Sequence, residues 1–425
     1  MKERATRTDR PMVIAGAGQG GLQAAESLRL EGWEGEIILF GEERLAPYYR
    51  PPLSKEALLE PLDLSSIVLR GPEALAGKGI DFRANTRVAA IDRSRHEVIL
   101  ADGTRQPYEG LVIATGGNNR RLPVPGGELP DIVSIRGVDD AHKFAVALSE
   151  AESVVVVGAG FVGLEIAACC RVNGREVTVV EREDRVLARA VSPLISETYA
   201  RLHRENGVTL DLNASVAEVL SRDGRAAGVR LADGRRIDAD LVVAGIGLIP
   251  ADELGRAAGL PCDRGIIVDR CSRTIDPDIV AIGDCTATAH EPGMPLHRLE
   301  SVQNALEQAK AGAAALMGRE KPFLLAPWFW SDQYEIKLQI VGSSAGHDRA
   351  VTRGDLSGYK FSVFYFQGGR LVGADSLNRS ADHMAARKIL DRGLTLTPEQ
   401  AGDEKFNLGA FVKAAEKAAA ANEPA

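Results

Sequence analysis

The first cysteine of this 425-residue chain is Cys169, and the other four lie at 170, 262, 271 and 285. No two are spaced CxxC, and none has zinc-ligand spacing. This argues against a disulfide framework, a zinc module and a dithiol redox motif, and no metal site is expected. Free thiols in odd number suit a reducing cytoplasm. Cys169 and Cys170, after an apolar helix start, read as buried packing residues. Positive charge is not in excess: 51 Lys and Arg stand against 59 Asp and Glu, for a net charge of −8. Nucleic acid is therefore not expected as a partner. Long apolar runs are missing too. The longest, 154–170, is broken by glycines and by Glu165, so it reads as strand, turn and helix rather than a membrane span. The N-terminal "MKERATRTDRP" is polar, and the "MVIA" beyond it is too short for a signal peptide.

The chain does have a repeated pattern. "VIAGAGQGGLQAAESL" begins at Val13 and "VVVGAGFVGLEIAACC" at Val155. Each is a β-branched run, a GxGxxG turn and an apolar helix. Each leads to a second apolar strand with an acid at its end, "EIILFGEE" (36–43) and "EVTVVERE" (176–183). Gly16, Gly18 and Gly21 form the first turn, with Glu42 as its acid and Glu43 as an adjacent competitor. Gly158, Gly160 and Gly163 form the second, with Glu181. This is a dinucleotide fingerprint written twice. The first glycine permits a tight turn, the second lets backbone approach a pyrophosphate, and the third lets helix pack on strand. Two units call for two nucleotides, a resident FAD and a visiting NADH. Glu181 favours a ribose 2′-hydroxyl over a 2′-phosphate, although Arg182, Arg185 and Arg189 are near enough in sequence to compete.

Other strand ends fit a flavin. "LVIATGG" (111–117) places Thr115 and Gly116 where backbone can approach a flat ring. "IVAIGDC" (279–285) places Gly283 and Asp284 where a carboxylate can take ribityl hydroxyls, or else cap a helix. The segment 298–318 reads as a helix whose N-terminus can face the flavin. The order of these landmarks implies an insertion. The expected fold is α/β: two doubly wound Rossmann-like domains, the second inserted in the first, plus a C-terminal α+β domain. The expected boundaries are 1–117 with 247–322 for FAD, 118–246 for NAD, and 323–425 for the rest. In the last part, three antiparallel strands and two helices are expected.

Several stretches are more specific. "RPPLSK" (50–55), "EREDRVLARAVSP", "DLVVAGIGLIP", "ESVQNALEQA" and "APWFWSDQYEIKLQIVG" resemble the two-dinucleotide-domain flavoproteins. Within them the chain resembles the NADH-dependent ferredoxin reductases of bacterial oxygenase systems, the putidaredoxin reductase type. That resemblance runs from about residue 12 to 380. It implies FAD contacts at Gly20, Glu42, Arg50, Lys55, Val88, Arg136, Asp284 and Val302. It implies NADH contacts at the second fingerprint, Glu181 and Gly247. It places Lys55 beside the reacting edge of the flavin and Trp330 against the ring. Glu165, on the second glycine helix, is expected to pair with Lys55.

Relatives of this build that reduce thiols hold a cysteine near "RPPLSK". Here no cysteine precedes 169, so a thiol relay is not expected. Electrons must leave directly. The implied acceptor is a small acidic two-iron, two-sulfur ferredoxin, which carries the cluster because this chain lacks its ligands. It would feed a cytochrome P450 or a Rieske oxygenase. A rubredoxin reductase, or an FAD-binding regulatory protein that senses NADH, are the alternatives.

Overall fold

The computed structural model describes residues 8–55, 63–288 and 296–421, with side chains to 419. The first residues of the polar N-terminal stretch and the last four of the chain lie outside the described residues. The chain divides into two compact units. One holds Met1–Arg50, Asp63–Asn118 and Leu248–Leu324; the other holds Pro51–Leu62, Asn119–Gly247 and Leu325–Ala425.

The first unit is built on a parallel five-stranded sheet. Its order is Ile279–Ala281, Gly110–Ile113, Met12–Ala15, Ile37–Phe40, Ile80–Arg83. The three central strands are buried at every residue, as a parallel sheet covered on both faces requires. Successive side chains point to opposite faces. Met12, Ile14, Ile37, Leu39 and Val112 meet the helices Gln19–Leu30 and Val302–Leu316. Val13, Ile38, Phe40, Leu111 and Ile113 pack with Ile91, Val98 and Leu100. Those last three belong to an antiparallel three-stranded sheet, Val88–Asp92, Glu97–Leu100 and Arg105–Pro107. Ile279–Ala281 lies beside Gly110–Ile113, so the chain leaves this sheet and returns to finish it.

The second unit contains a parallel four-stranded sheet, ordered Val208–Asp211, Glu176–Val180, Ser153–Val157, Leu241–Ala244. The helices Phe161–Val172 and Pro193–Glu205 belong to it. An antiparallel sheet of five strands follows, ordered Trp328–Gln333, Ile336–Gly342, Arg370–Leu377, Lys360–Gln367, Arg349–Asp355. The helices Ser380–Asp391, Pro398–Gly402 and Leu408–Ala421 complete it.

The structure refines the sequence reading in three places. The helix expected over 298–318 starts at Val302, because the Ser301 side chain accepts from the Asn304 N–H and caps it there. The C-terminal sheet has five strands rather than three, and three helices rather than two end the described chain. The segments 119–247 and 325–425 pack as one unit, which also takes in Pro51–Leu62. Among the described residues no helix is long and apolar enough to cross a membrane.

Candidate functional site

In the first unit the expected residues gather at one edge of the parallel sheet. Ala15 pairs with Phe40 and Ile113, and Ala281 with Ile113. These strands therefore end side by side, and the segments after them meet at the carboxyl edge, where open α/β sheets bind ligands. Gly16 has φ +115°, and a Cβ on it would lie 2.3 Å from the Ala114 carbonyl oxygen. A Cβ on Gly21 would lie 1.9 Å from the Gly16 oxygen, so helix and turn touch through bare backbone. Gly20 faces Ile282 and Ala305. Gly18 is different: a Cβ there would meet nothing within 4 Å. It is the N-cap of Gln19–Leu30 and offers no side-chain cap. No side chain caps the first helical amides, and uncapped helix N-termini are where phosphate binds.

Around this turn stand the other strand ends. The Thr115 hydroxyl donates to the Ala251 carbonyl at 2.6 Å, and Gly116 has φ +71°. Gly283, at φ +75°, donates its N–H to Gln308 Oε1 at 2.7 Å. That oxygen also accepts from Thr286 and Asn304, at 3.1 and 3.2 Å, so one buried glutamine fixes the Gly-Asp turn. Asp284 sits within the turn Gly283–Cys285 and does not cap the helix that begins at Val302; Ser301 does. Glu43 accepts from the Tyr48 hydroxyl at 2.5 Å and from Arg50. Glu42 points outward, 70% exposed and 3.8 Å from Arg87. Arg50 also donates to the Tyr48 hydroxyl at 2.9 Å and lies over its ring. Val88 is half-buried in its antiparallel strand.

The second turn repeats the first. Gly158 has φ +103° with a virtual Cβ 2.6 Å from the Gly245 oxygen, Gly163 one 2.1 Å from the Gly158 oxygen, and Gly160 meets nothing within 4 Å. Glu181 directly ends its strand. Its Oε2 accepts the Ala159 N–H at 2.7 Å and its Oε1 the Glu183 N–H at 3.0 Å. The acid is thereby held against the glycine turn. Arg185 donates to the Val191 and Ala188 carbonyls, and Arg182 to Glu183 at 3.1 Å. Gly247, at φ +93°, has open space around it. Arg136 lies in this unit, its N–H donating to Asp140 at 3.0 Å.

Lys55 Nζ lies 3.0 Å from Glu165 Oε1, with the side chains 11% and 3% exposed. Glu165 also accepts from the Ser331 hydroxyl at 2.6 Å and from the Ser54 hydroxyl at 2.5 Å. Burial pushes the Glu165 carboxyl up, while Lys55 and the two hydroxyls work against it. The Cys169 thiol, one helical turn on, donates to the Lys55 and Ser54 carbonyls at 3.4 and 3.6 Å. The Trp330 ring lies 5.5 Å from Trp328, and Phe161 lies 4.7 Å from Phe329. Sequence reasoning missed Ser54, Ser331 and Gln308. The only signal for Ser331 is a small polar residue inside an aromatic strand.

Two open glycine cradles, each barred to a side chain at its turn, fit two dinucleotides. Residues 10–309 match the pyridine nucleotide-disulphide oxidoreductase family and residues 328–412 the reductase C-terminal domain. The chain belongs to the first of these families, whose members are FAD-dependent oxidoreductases working with NAD(H). More particularly, it is 47% identical over 397 residues to rhodocoxin reductase of Rhodococcus erythropolis, covering 93% of each chain. It is 41% identical over 409 residues to putidaredoxin reductase CamA of Pseudomonas putida, covering 95% of this chain and 97% of that one. The crystal structure of the ferredoxin reductase for the CYP199A2 system from Rhodopseudomonas palustris superposes with a TM-score of 0.92 at 43% identity, over 95% of this chain and all of that one. Despite the family name, all five cysteines here are free thiols, four of them buried.

Proposed function

We propose that this protein is a cytoplasmic NADH-dependent ferredoxin reductase that supplies electrons to a cytochrome P450 or a Rieske oxygenase. FAD, when bound, would supply the acceptor for a hydride from NADH and the single electrons for a two-iron, two-sulfur ferredoxin. In this reading residues 1–117 with 247–322 hold the FAD, and 118–246 the NADH. Residues 323–425 supply Trp330. The observation that carries it is two matching nucleotide cradles in a chain with no thiol at the flavin segment. Two nucleotides and no internal acceptor require an external one.

The residues divide the work. Gly16, Gly18, Gly20 and Gly21 admit the FAD pyrophosphate to the helix N-terminus. Glu42 is turned outward and takes adenosine ribose hydroxyls, since Glu43 is committed to Tyr48 and Arg50. Thr115, Gly116, Gly283 and Asp284 line the carboxyl edge of the sheet. Arg50, Val88 and Arg136 are further FAD contacts. The N-terminus at Val302 directs positive potential outward. Lys55, held by Glu165, keeps a cation at the reacting edge, and Trp330 covers the ring. Gly158, Gly160, Gly163, Glu181 and Gly247 receive NADH.

Stopped-flow mixing tests the proposal. The FAD-loaded protein is reduced with NADH and then mixed with two-iron ferredoxins and with rubredoxins. Fast bleaching followed by rapid reoxidation by a ferredoxin is expected. Discharge by rubredoxin alone assigns a rubredoxin reductase. A persistent charge-transfer band with no competent acceptor replaces the enzyme with an NADH-sensing regulator.

A further inference from the structure

Glu165 has more hydrogen-bond donors around it than a pair with Lys55 requires, and behind Ser331 the donors continue. Gln333 Nε2 donates to Ser331 Oγ at 3.1 Å. His203 Nε2 lies 2.8 Å from Gln333 Oε1. With the amide nitrogen committed to Ser331, the Gln333 oxygen faces His203, and a carbonyl oxygen only accepts. His203 therefore carries its proton on Nε2, leaving Nδ1 to accept from the Tyr334 hydroxyl at 3.4 Å. Burial lowers the His203 pKa to about 4, so the ring stays neutral. Each hydrogen in the series points the same way, from Tyr334 toward Glu165.

Three elements are arranged around this series. Ser331 and Gln333 are two apart on Trp328–Gln333 and so share a face of the strand. Both are buried, where apolar residues would otherwise pack. His203 comes from the last turn of Pro193–Glu205. Tyr334, at the hairpin turn, has φ +53°, a conformation that bulky residues rarely adopt. Its ring meets His203 edge-on at 5.3 Å.

We propose that Ser331, Gln333 and His203 are positioning residues for Glu165, a directed series of donors that keeps its carboxylate charged and turned to Lys55. The inference rests on the role given to Lys55 under the proposed function. The charged and titratable groups that act on Glu165 are Lys55 and, from the neighbouring helix, the buried Tyr199 phenol. A donor to the charged form lowers a carboxyl pKa, and losing a charge-assisted bond raises it by about one to two pH units.

The test is an infrared titration of the FAD-loaded protein without NADH or acceptor. It follows the protonated carboxyl band of Glu165, assigned by its loss in Glu165→Gln. Ser331→Ala is expected to raise the midpoint by about one to two pH units, and Gln333→Met, which removes only the donor behind Ser331, to raise it by less. Ser331→Thr keeps the hydroxyl and is expected to restore it. Flavin reduction by NADH should slow with its pH profile displaced by the same amount, while the NADH dissociation constant stays unchanged. Midpoints that do not move overturn the proposal. A shift in Ser331→Ala alone overturns the part beyond Ser331. If Gln333→Met does not fold, the Ser331→Ala and Ser331→Thr pair decides, together with the 15N tautomer of His203. That tautomer is expected on Nε2, and a proton on Nδ1 overturns the direction of the series. The titration involves no turnover, so it stands apart from Lys55→Met, whose unchanged reduction by NADH would remove the role of Lys55 instead.

Discussion

Glu181 shows what a single residue contributes. Held by two backbone N–H groups, its carboxylate stays at the glycine turn, where under the proposed function it would accept from a ribose 2′-hydroxyl and repel a 2′-phosphate. Arg185 is spent on backbone carbonyls, so it is not positioned to reverse that choice. NADH is expected to exceed NADPH in kcat/KM, and Glu181→Gln is expected to cut the preference by about tenfold or more, a loss of at least about 1.4 kcal/mol of discrimination. An unchanged ratio would remove Glu181 from that role. This acid was legible in the sequence because it directly follows a β-branched run. Glu42 was chosen over its neighbour Glu43 from the sequence, and the hold of Tyr48 and Arg50 on Glu43 supports that choice. Gln333 and His203 left no pattern, and Ser331 only a small polar residue inside an aromatic strand. They come from a strand and a distant helix, and only the tertiary fold brings them to Glu165.

At the scale of the element, the two glycine turns were the most legible feature, since backbone geometry dictates glycine there. The virtual Cβ positions now separate their roles. At Gly160 a methyl group meets open space, so Gly160→Ala is expected to keep the melting temperature. It intrudes on the phosphate cradle, and the KM for NADH should rise about tenfold, which corresponds to about 1.4 kcal/mol. At Gly163 a methyl group would lie 2.1 Å from the Gly158 oxygen, forcing helix from strand. Gly163→Ala is expected to destabilise by about 1–3 kcal/mol, as overpacking does, read by denaturant unfolding. Equal effects on both measures at both sites would contradict this division. Other boundaries were less legible. Ser301 set the start of its helix through a cap that periodicity does not encode. Arg349–Asp355 escaped notice because its burial is uneven at the edge of its sheet.

Stability belongs to the whole molecule, and one buried acid gives it a pH dependence. Asp375 is buried with no cation beside it among the described residues, and burial pushes its carboxyl up to about 7. Tyr365 lies 2.7 Å from Asp375 and 2.8 Å from Ser192. The Tyr365 hydroxyl donates to Asp375, which works against burial without overcoming it. The folded protein thus holds a proton that the unfolded chain releases above the usual carboxylate range. Stability falls as pH rises through that window to about 7, by up to about 1.4 kcal/mol per unit. His203 and His383, lowered to about 4, act oppositely, but only below about 6.5. Asp375→Asn mimics the protonated acid. Its melting temperature is expected to gain on the parent from pH 5 to about pH 7 and to level off above it, and a constant difference would refute the assignment. The inserted order of the chain was legible from its landmarks, and so was the pairing of Lys55 with Glu165, whereas the part Ser54 takes in joining 51–55 to Glu165 was not. That order also sets a timetable for synthesis. Ile279–Ala281 is an edge strand of the first sheet, beside Gly110–Ile113. The four strands of the second parallel sheet, which lie between Ser153 and Ala244, are all made before it. On the ribosome the sheet begun first is therefore finished second, and its exposed edge waits through more than a hundred residues of translation.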